Sequence, residues 1–389
     1  MAKLIEITGK TISGEWGFDD TEGIGIPVLR TTNFTNEGFI DYQNVVTRII
    51  KKQNISEKFL RSGDIIIEKS GGSDKQPVGR VVYYDGPDNT YLFNNFTGVL
   101  RVKDPSKWYP KYIFYALFTN YWRGGTRRFE NKTTGLHNLK TDDYVARFGI
   151  AEIPLDQQIC ICNTLDKIHL LIGSRKKQLT KMDDLIKSRF VEMFGDININ
   201  DKGWTIQPLG ELCTIVRGGS PRPIEQFLGG DVPWIKIGDA TEGESIYLHS
   251  TKEHIIQEGV KKSRLVKSGS LIFANCGVSL GFARIIKFDG CIHDGWLAME
   301  DIDERIDKVF LLQSLNQMTE HFRTIAPAGT QPNLNTAIMK AYRQIIPPIE
   351  LQKQYIDFVA QVDKSKSAIQ AALDKTQLLF DSLMQEYFG

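Results

Sequence analysis

Three short segments in the first half of the chain return in the same order in the second, and this constrains the fold more than any other feature. Gly63-Asp64-Ile65-Ile66-Ile67-Glu68-Lys69-Ser70-Gly71 has its echo in Gly269-Ser270-Leu271-Ile272-Phe273-Ala274-Asn275-Cys276-Gly277. Each reads as a turn glycine, a short buried strand and a polar loop. Ile153-Pro154-Leu155-Asp156-Gln157-Gln158 matches Ile346-Pro347-Pro348-Ile349-Glu350-Leu351-Gln352, with proline ahead of a long polar-apolar stretch in both. Glu192-Met193-Phe194-Gly195 and Glu386-Tyr387-Phe388-Gly389 close the two halves, 194 residues apart in a chain of 389. The order is therefore globular, helical, globular, helical. The expected boundaries are a globular domain over 1–150, a helix over 151–203, a second globular domain over 204–345 and a second helix over 346–389.

The globular parts have strand-like runs, such as Val81-Val82-Tyr83-Tyr84, Tyr91-Leu92-Phe93 and Gly98-Val99-Leu100-Arg101-Val102, with turn signals such as Asp85-Gly86-Pro87-Asp88 between them. Helical spacing predicts a helix over Pro110 to Trp122. The second part repeats the style, with strands at Trp234-Ile235-Lys236-Ile237 and Phe282-Ala283-Arg284-Ile285-Ile286 and a helix over Val309 to Phe322. The fold class expected is α/β, of the α+β kind: two mixed domains in a pseudo-two-fold repeat, separated by long helices.

Those helices differ from the rest in kind. Leu155 to Phe194 has no proline, and Gly173 is its only glycine. Leu165, Ile172, Leu179, Ile186 and Met193 recur every seventh residue, with Ile168 and Met182 three after members of that line. Arg175 and Arg189 interrupt the seam. At about 1.5 Å per residue the helix is roughly 60 Å long, and Gly195 is placed to stop it. The second stretch, Glu350 to Phe388, offers Tyr355, Val359, Val362, Ile369, Leu373, Leu379, Phe380 and Leu383. A helix needs a surface for its apolar stripe, so the two are expected to pack as an antiparallel, coiled-coil-like pair through Leu165, Ile168, Ile172, Leu179, Met182, Ile186, Val362, Ile369, Leu373 and Phe380. Each packing only on its own domain is the plainer alternative.

Charge excludes a uniformly basic coat. Lys plus Arg number 48 against 47 Asp plus Glu, a net of +1. Residues 1–150 carry +4 and residues 204–345 carry −1. Neither half would hold DNA by counterion release alone, which favours a subunit whose partners supply much of the grip. Five cysteines without a CxxC pair argue against a disulfide framework or a metal site, and suit a reducing cytoplasm. No stretch approaches the ~18 apolar residues of a membrane span. There is no glycine-rich cofactor loop of the FxGxG type, no Asn-Pro-Pro-aromatic or Asp-Pro-Pro-aromatic methyltransferase motif and no nucleophile elbow, so no catalytic residue is expected. Glu130-Asn131-Lys132 after Asp88 only faintly resembles a nuclease pattern.

The polar loops carry the remaining signal. Arg217-Gly218-Gly219-Ser220-Pro221-Arg222-Pro223 projects two arginines, which suit guanine or phosphate; an ordinary surface turn would look the same. Asn275-Cys276-Gly277-Val278-Ser279-Leu280-Gly281 lacks the lysine of a phosphate loop and reads as a strand-to-strand turn. Lys69 to Arg80 takes the same place in the first half with different polar residues, as two readers of different sequences would. Arg123, Arg127, Arg128 and Lys132, with Trp122 and Phe129 interleaved, form the best basic and aromatic patch; a solvated charged loop is its bland counterpart. Its equivalent, Gly329-Thr330-Gln331-Pro332-Asn333-Leu334-Asn335, has amides, which can read adenine edges or simply cap a helix.

The whole chain resembles the specificity subunits of type I restriction-modification enzymes. Trp204, Leu209-Gly210-Glu211-Leu212-Cys213, the Arg217 to Pro223 loop, Val232-Pro233-Trp234-Ile235-Lys236-Ile237-Gly238-Asp239 and the paired openings and endings of the helices carry the likeness. The first half lacks the usual Gly-Ser-Pro loop; Ser13-Gly14-Glu15-Trp16-Gly17 stands near its place. The resemblance implies target recognition domains that each read half of a gapped site on double-stranded DNA, and helices that set the gap. It implies docking of two modification subunits carrying S-adenosylmethionine. It further implies motor-nuclease restriction subunits using ATP and Mg²⁺, and no cofactor on this chain. The DNA-contacting residues expected are Trp16, Lys69, Lys75, Arg80, Arg127, Arg128 and Lys132 in the first domain. In the second they are Arg217, Ser220, Arg222, Lys236, Asn275, Ser279, Asn333 and Asn335. A non-catalytic two-domain adaptor, or a DNA-reading subunit of another defence complex, is the alternative.

Overall fold

The computed structural model describes residues 1–133, 136–240, 246–327 and 333–389. It divides into two compact units, one of residues 1–174 and 373–389 and the other of residues 175–372. It has the mixed α/β class expected, with helices Leu155–Phe194 and Ile349–Phe388. No helix among the described residues is long and apolar enough to cross a membrane.

In the first unit the echo strand Ile65–Glu68 lies inside an antiparallel sheet, between Thr97–Leu100 and Val81–Tyr83. All four of its residues are buried, which suits its continuous apolar run. A second sheet of Phe18–Asp19, Val46–Ile49, Ile26–Leu29 and Leu92–Phe93 includes a parallel pair, Val28 beside Leu92. Helix Pro110–Trp122 is apolar almost all round because it is buried on more than one side. It packs on the Val81–Tyr83 strand, and Tyr112 meets Phe388 at 5.1 Å. Leu165, Ile168 and Ile172 are buried, as are Leu373, Phe380 and Met384. His169 lies 6.1 Å from Phe380, so the two helical segments pack on each other within this unit.

The second unit repeats the plan. The echo strand Leu271–Ala274 sits between Trp296–Glu300 and Ala283–Ile286, and Trp234 pairs in parallel with Cys291. Strand Thr205–Pro208 pairs with Arg343–Ile346, as Ala2–Lys3 pairs with Gly149–Ile150 in the first unit. Along the helices Ile186, Val359 and Val362 are buried, while Leu179, Met182 and Ile369 are half-buried. Arg175 donates to the Ala372 carbonyl at 2.5 Å, Asp183 pairs with Lys366, and Arg189 lies over Phe358. The arginines that interrupt the seam thus reach across the helix pair. The helices also pack on the domain. Phe190 and Phe194 meet Phe310 and Tyr355 with ring centroids 4.8–5.8 Å apart.

Three expectations change. The helix expected over Val309 to Phe322 is two, Lys308–Gln317 and Thr319–Ile325. The strand at Trp234 ends at Ile235, and Ile237 opens a turn of helix. Leu379 is exposed, because Phe380 beside it takes the inward position.

Candidate nucleic-acid interface

In the second unit, strand Thr214–Arg217 runs out into Gly218 against the end of strand Gly290–Ile292. A Cβ on Gly218 would lie 2.2 Å from the His293 carbonyl oxygen, so only glycine fits. Gly219 N donates to Ile292 O at 3.0 Å and Asn275 N to Gly295 O at 2.9 Å. Leu334 N donates to Asn275 O at 2.8 Å, and Cys276 bridges Asn333. Four loops meet here. The first unit makes the same junction. A Cβ on Gly14 would lie 2.0 Å from Asn94 O. Glu15 N donates to Phe93 O, Lys69 N to Phe96 O and Leu139 N to Lys69 O, each at 2.8 Å, and Asn138 pairs with Ser70. These bonds equate Gly14 with Gly218 and Asn138 with Asn333, which sequence alone left open, and Lys69 with Asn275, as the nine-residue echo already aligns them.

Asp294 organises the second junction. Its carboxylate accepts from Ser220 Oγ at 2.9 Å and Arg222 Nη2 at 3.4 Å, and its carbonyl from Arg217 Nε at 3.0 Å. Arg222 remains 79% exposed. Burial opposes ionisation of Asp294, but His293, the Ser220 hydroxyl, Arg222 and Arg217 outweigh it and hold the carboxyl below its usual range. Burial, reinforced by Arg222, Lys236 and Arg217, lowers His293 despite Asp294. Lys236 pairs with Glu253 and lies 5.8 Å from the Trp234 ring, itself 5.6 Å from His293. Arg217, Ser220, Arg222 and Lys236 therefore share one polar surface.

The amides behave differently. Asn275 is fully buried and donates to Asn333 Oδ1 at 3.3 Å, leaving its own Oδ1 without a partner. Ser279 is buried in the turn Gly277–Ser279. Asn335 caps helix Thr336–Ala341 by accepting from Ile338 N at 2.9 Å. Direct base contact, expected of these three, does not match the burial of Asn275 and Ser279, which shape the loops; Asn335 is exposed, with its side-chain oxygen spent on the cap. Gly329, Thr330, Gln331 and Pro332 lie outside the described residues.

In the first unit Trp16 is half-buried beneath Arg48, 4.3 Å from its ring. Lys69 is half-buried, and burial, then Lys58, pushes its amine down. Lys75 is exposed, and its carbonyl and that of Asp74 accept from Arg127. Arg80 turns inward to Thr31 O at 2.9 Å, Phe34 O at 3.3 Å and Glu68 at 3.8 Å, so its expected outward role gives way to holding the loop. Lys132 lies in strand Glu130–Thr133, opposite His137. The basic patch is divided: Arg127 joins the Lys69 to Arg80 loop, while Arg123 and Arg128 line a 460 Å³ cleft with Tyr112 and Phe388. Glu130 accepts from Val78 N and meets His137, whereas Asp88 accepts from Ser62 N, so the nuclease-like pattern is two unrelated loop ties. Among the described residues no group of three His, Cys, Asp or Glu could hold a metal ion.

A family model described as type I restriction modification DNA specificity domain matches residues 1–181 and again residues 201–376. The chain belongs to this family. Two specificity-family relatives come from Methanocaldococcus jannaschii. The type I restriction enzyme MjaIX specificity subunit is 22% identical over 185 residues, 46% of this chain and 43% of that protein. The chain thus spans less than half of that relative's length. The putative type I restriction enzyme MjaX specificity subunit is 22% identical over 376 residues, 90% of this chain and 85% of that protein. Two solved structures share the fold. One, from work on complex assembly and conformational transition of the type I R-M system, has a TM-score of 0.62 at 16% identity, covering 100% of this chain and 96% of that one. The other, the S subunit of a type I restriction-modification system from M. genitalium, has a TM-score of 0.55 at 15% identity, covering 100% and 95%.

In this specificity-family chain the sequence reading missed a further group. Lys51 lies 4.7 Å from the ring of Phe18, which is 58% exposed, and Lys52 and Lys58 both pair with Glu15 beside Gly14. With Arg48 they place four cations and two aromatics at the first junction. The run Arg48 to Lys58, opposed only by Glu57, was a legible signal. Asp294 and His293 had none, being 74 and 73 residues from Ser220 in sequence.

Proposed function

We propose that each unit reads one half of a gapped sequence on double-stranded DNA, and that the long helices set the gap and dock two modification subunits. The observation that carries this reading is the four-loop junction. Its backbone bonds are the same in both units while the side chains on it differ. A constant frame with different polar groups is what reading two different half-sites requires, since phosphate contacts set register and base-edge contacts set sequence. Arg217 and Arg222 suit bidentate contact with guanine, and Trp16, Phe18 and their cations suit the backbone. Exposed Leu170, Leu171, Leu378 and Leu379 in the first unit, and Leu185 and Val191 in the second, support docking of protein on the helices. S-adenosylmethionine would sit on the modification subunits, and ATP and Mg²⁺ on motor-nuclease restriction subunits. This chain contributes recognition and no bond chemistry.

The test is a genome-wide map of adenine methylation in cells expressing the modification subunit with and without this chain. A two-part gapped motif should appear only with the chain. Exchanging residues 204–345 for another second domain should change one half of the motif alone. Methylation persisting at the old site after that exchange would overturn the reading. An intact complex that yields no motif would favour the protein-binding adaptor.

A further inference from the structure

Gln158 and Gln352 close the paired openings of the long helices, and both are fully buried. The Gln158 amide oxygen accepts from Tyr109 N at 2.8 Å, and its nitrogen donates to Lys107 O at 3.0 Å and Ile153 O at 2.9 Å. Gln352 repeats the set with Asp307 N at 2.8 Å, Arg305 O at 2.9 Å and Pro347 O at 2.7 Å. Tyr109 and Asp307 immediately precede helices Pro110–Trp122 and Lys308–Gln317. Each glutamine thus ties the lead-in of a domain helix to the segment leaving that domain and to the start of a long helix.

Every partner is a backbone group, so the joint does not depend on the domain's side chains. The two domains can diverge in what they read while keeping it. The chemistry is demanding. Glutamate would set a carboxylate against two carbonyl oxygens. Asparagine is one methylene short. Methionine fills the space without a bond. The apolar contacts nearby, such as Tyr112 on Phe388, hold the domain down but are non-directional, whereas a saturated buried hydrogen-bond set selects one orientation.

We propose that Gln158 and Gln352 are positioning residues that set the tilt of each globular domain on its long helix, and through it the gap at which two half-sites are read. This rests on the reading of the chain as a two-part DNA reader. Successive base pairs are only about 3.4 Å apart, so a small rotation at the joint is enough to admit a wrong gap.

The test uses the full chain assembled with its modification subunit. The duplexes carry both native half-sites at the native gap, or with one base pair added or removed. Gln158→Met and Gln352→Met, each of which removes three hydrogen bonds, should each lower the ratio of native-gap to shifted-gap methylation on the order of tenfold or more, with half-site sequences unchanged. Gln158→Asn and Gln352→Asn, milder changes, should move the ratio the same way. Val82→Ala and Ile286→Ala, core changes in the two domain sheets, should lower stability and leave the ratio alone. A glutamine variant that melts earlier but keeps the wild-type ratio overturns the inference, leaving the side chain a merely structural one. A wild-type complex that methylates no two-part site defeats the underlying reading instead, and this inference with it.

Discussion

Asp294 and Ser220 share a 2.9 Å hydrogen bond, and Arg217 and Arg222 lean on the same aspartate. Two titrations bear on this cluster. Burial lowers His293 from its ordinary 6.5, so the fold favours neutral imidazole. The stability this brings is complete above pH 6.5 and is lost as pH falls through the lowered folded value. The net lowering of Asp294 from 3.8 acts in the same direction at lower pH. The melting temperature of the wild type relative to His293→Gln should therefore fall as pH drops below about 6.5; a flat difference between pH 7 and 5 would count against it. The glycines offer a matched pair of tests. Gly14→Ala and Gly218→Ala each drive a Cβ into a carbonyl oxygen, at 2.0 and 2.2 Å. Each should weaken binding on the order of tenfold at its own half-site and spare the other, measured on duplexes with one half-site scrambled.

At the scale of elements, the long helix Leu155–Phe194 was legible as a proline-free periodic stretch ending before Gly195, although the expected span of 151–203 runs past it at both ends. A seven-residue apolar line marks its face, and Gly195, at φ +78°, stops it. The break at Met318 was not legible. Asn316 accepts from Ala283 N at 2.7 Å, while Thr319 bonds Gly281 O at 3.0 Å and Asn316 O at 2.9 Å, so a neighbouring strand interrupts an apolar period that would otherwise continue. Ile237 is similar: Asp239 accepts from Lys236 N at 2.9 Å and from the Thr251 hydroxyl at 2.8 Å, turning a strand into a helical turn. The second unit's helices are joined to their domain by rings rather than by the seam alone. Phe190→Ala should cost about 3–5 kcal/mol, read as a lower denaturant midpoint with little change in slope; a cost under about 1 kcal/mol would show the site collapsing onto Tyr355 and Phe310.

At the scale of the molecule, 48 basic residues are offset by 47 acidic ones, so few cations are left to neutralise phosphates, and the number neutralised sets how binding responds to salt. The chain alone should bind DNA with a shallow slope of log affinity against log salt, steepening when the modification subunit joins. Fluorescence anisotropy from 50 to 200 mM salt measures both. An equally steep slope for the isolated chain would mean that its cation and aromatic groups, Arg48 and Lys51 foremost, carry the electrostatic grip unaided.

The sequence by itself determined the two-fold repeat, the mixed class, the two long helices and the family. These are written in periodicity and in short local motifs, which survive without knowledge of distant contacts. Only the tertiary structure decided which polar residues face outward. Arg80, Asn275 and Ser279 resemble base-reading residues in the sequence, but backbone carbonyls, a buried amide pair and a turn claim their side chains. Asp294 and the Arg48 to Lys58 group gain their meaning from loops brought together at the junction. Burial and hydrogen-bond partnership are set by residues far apart in the chain, and no local pattern encodes them.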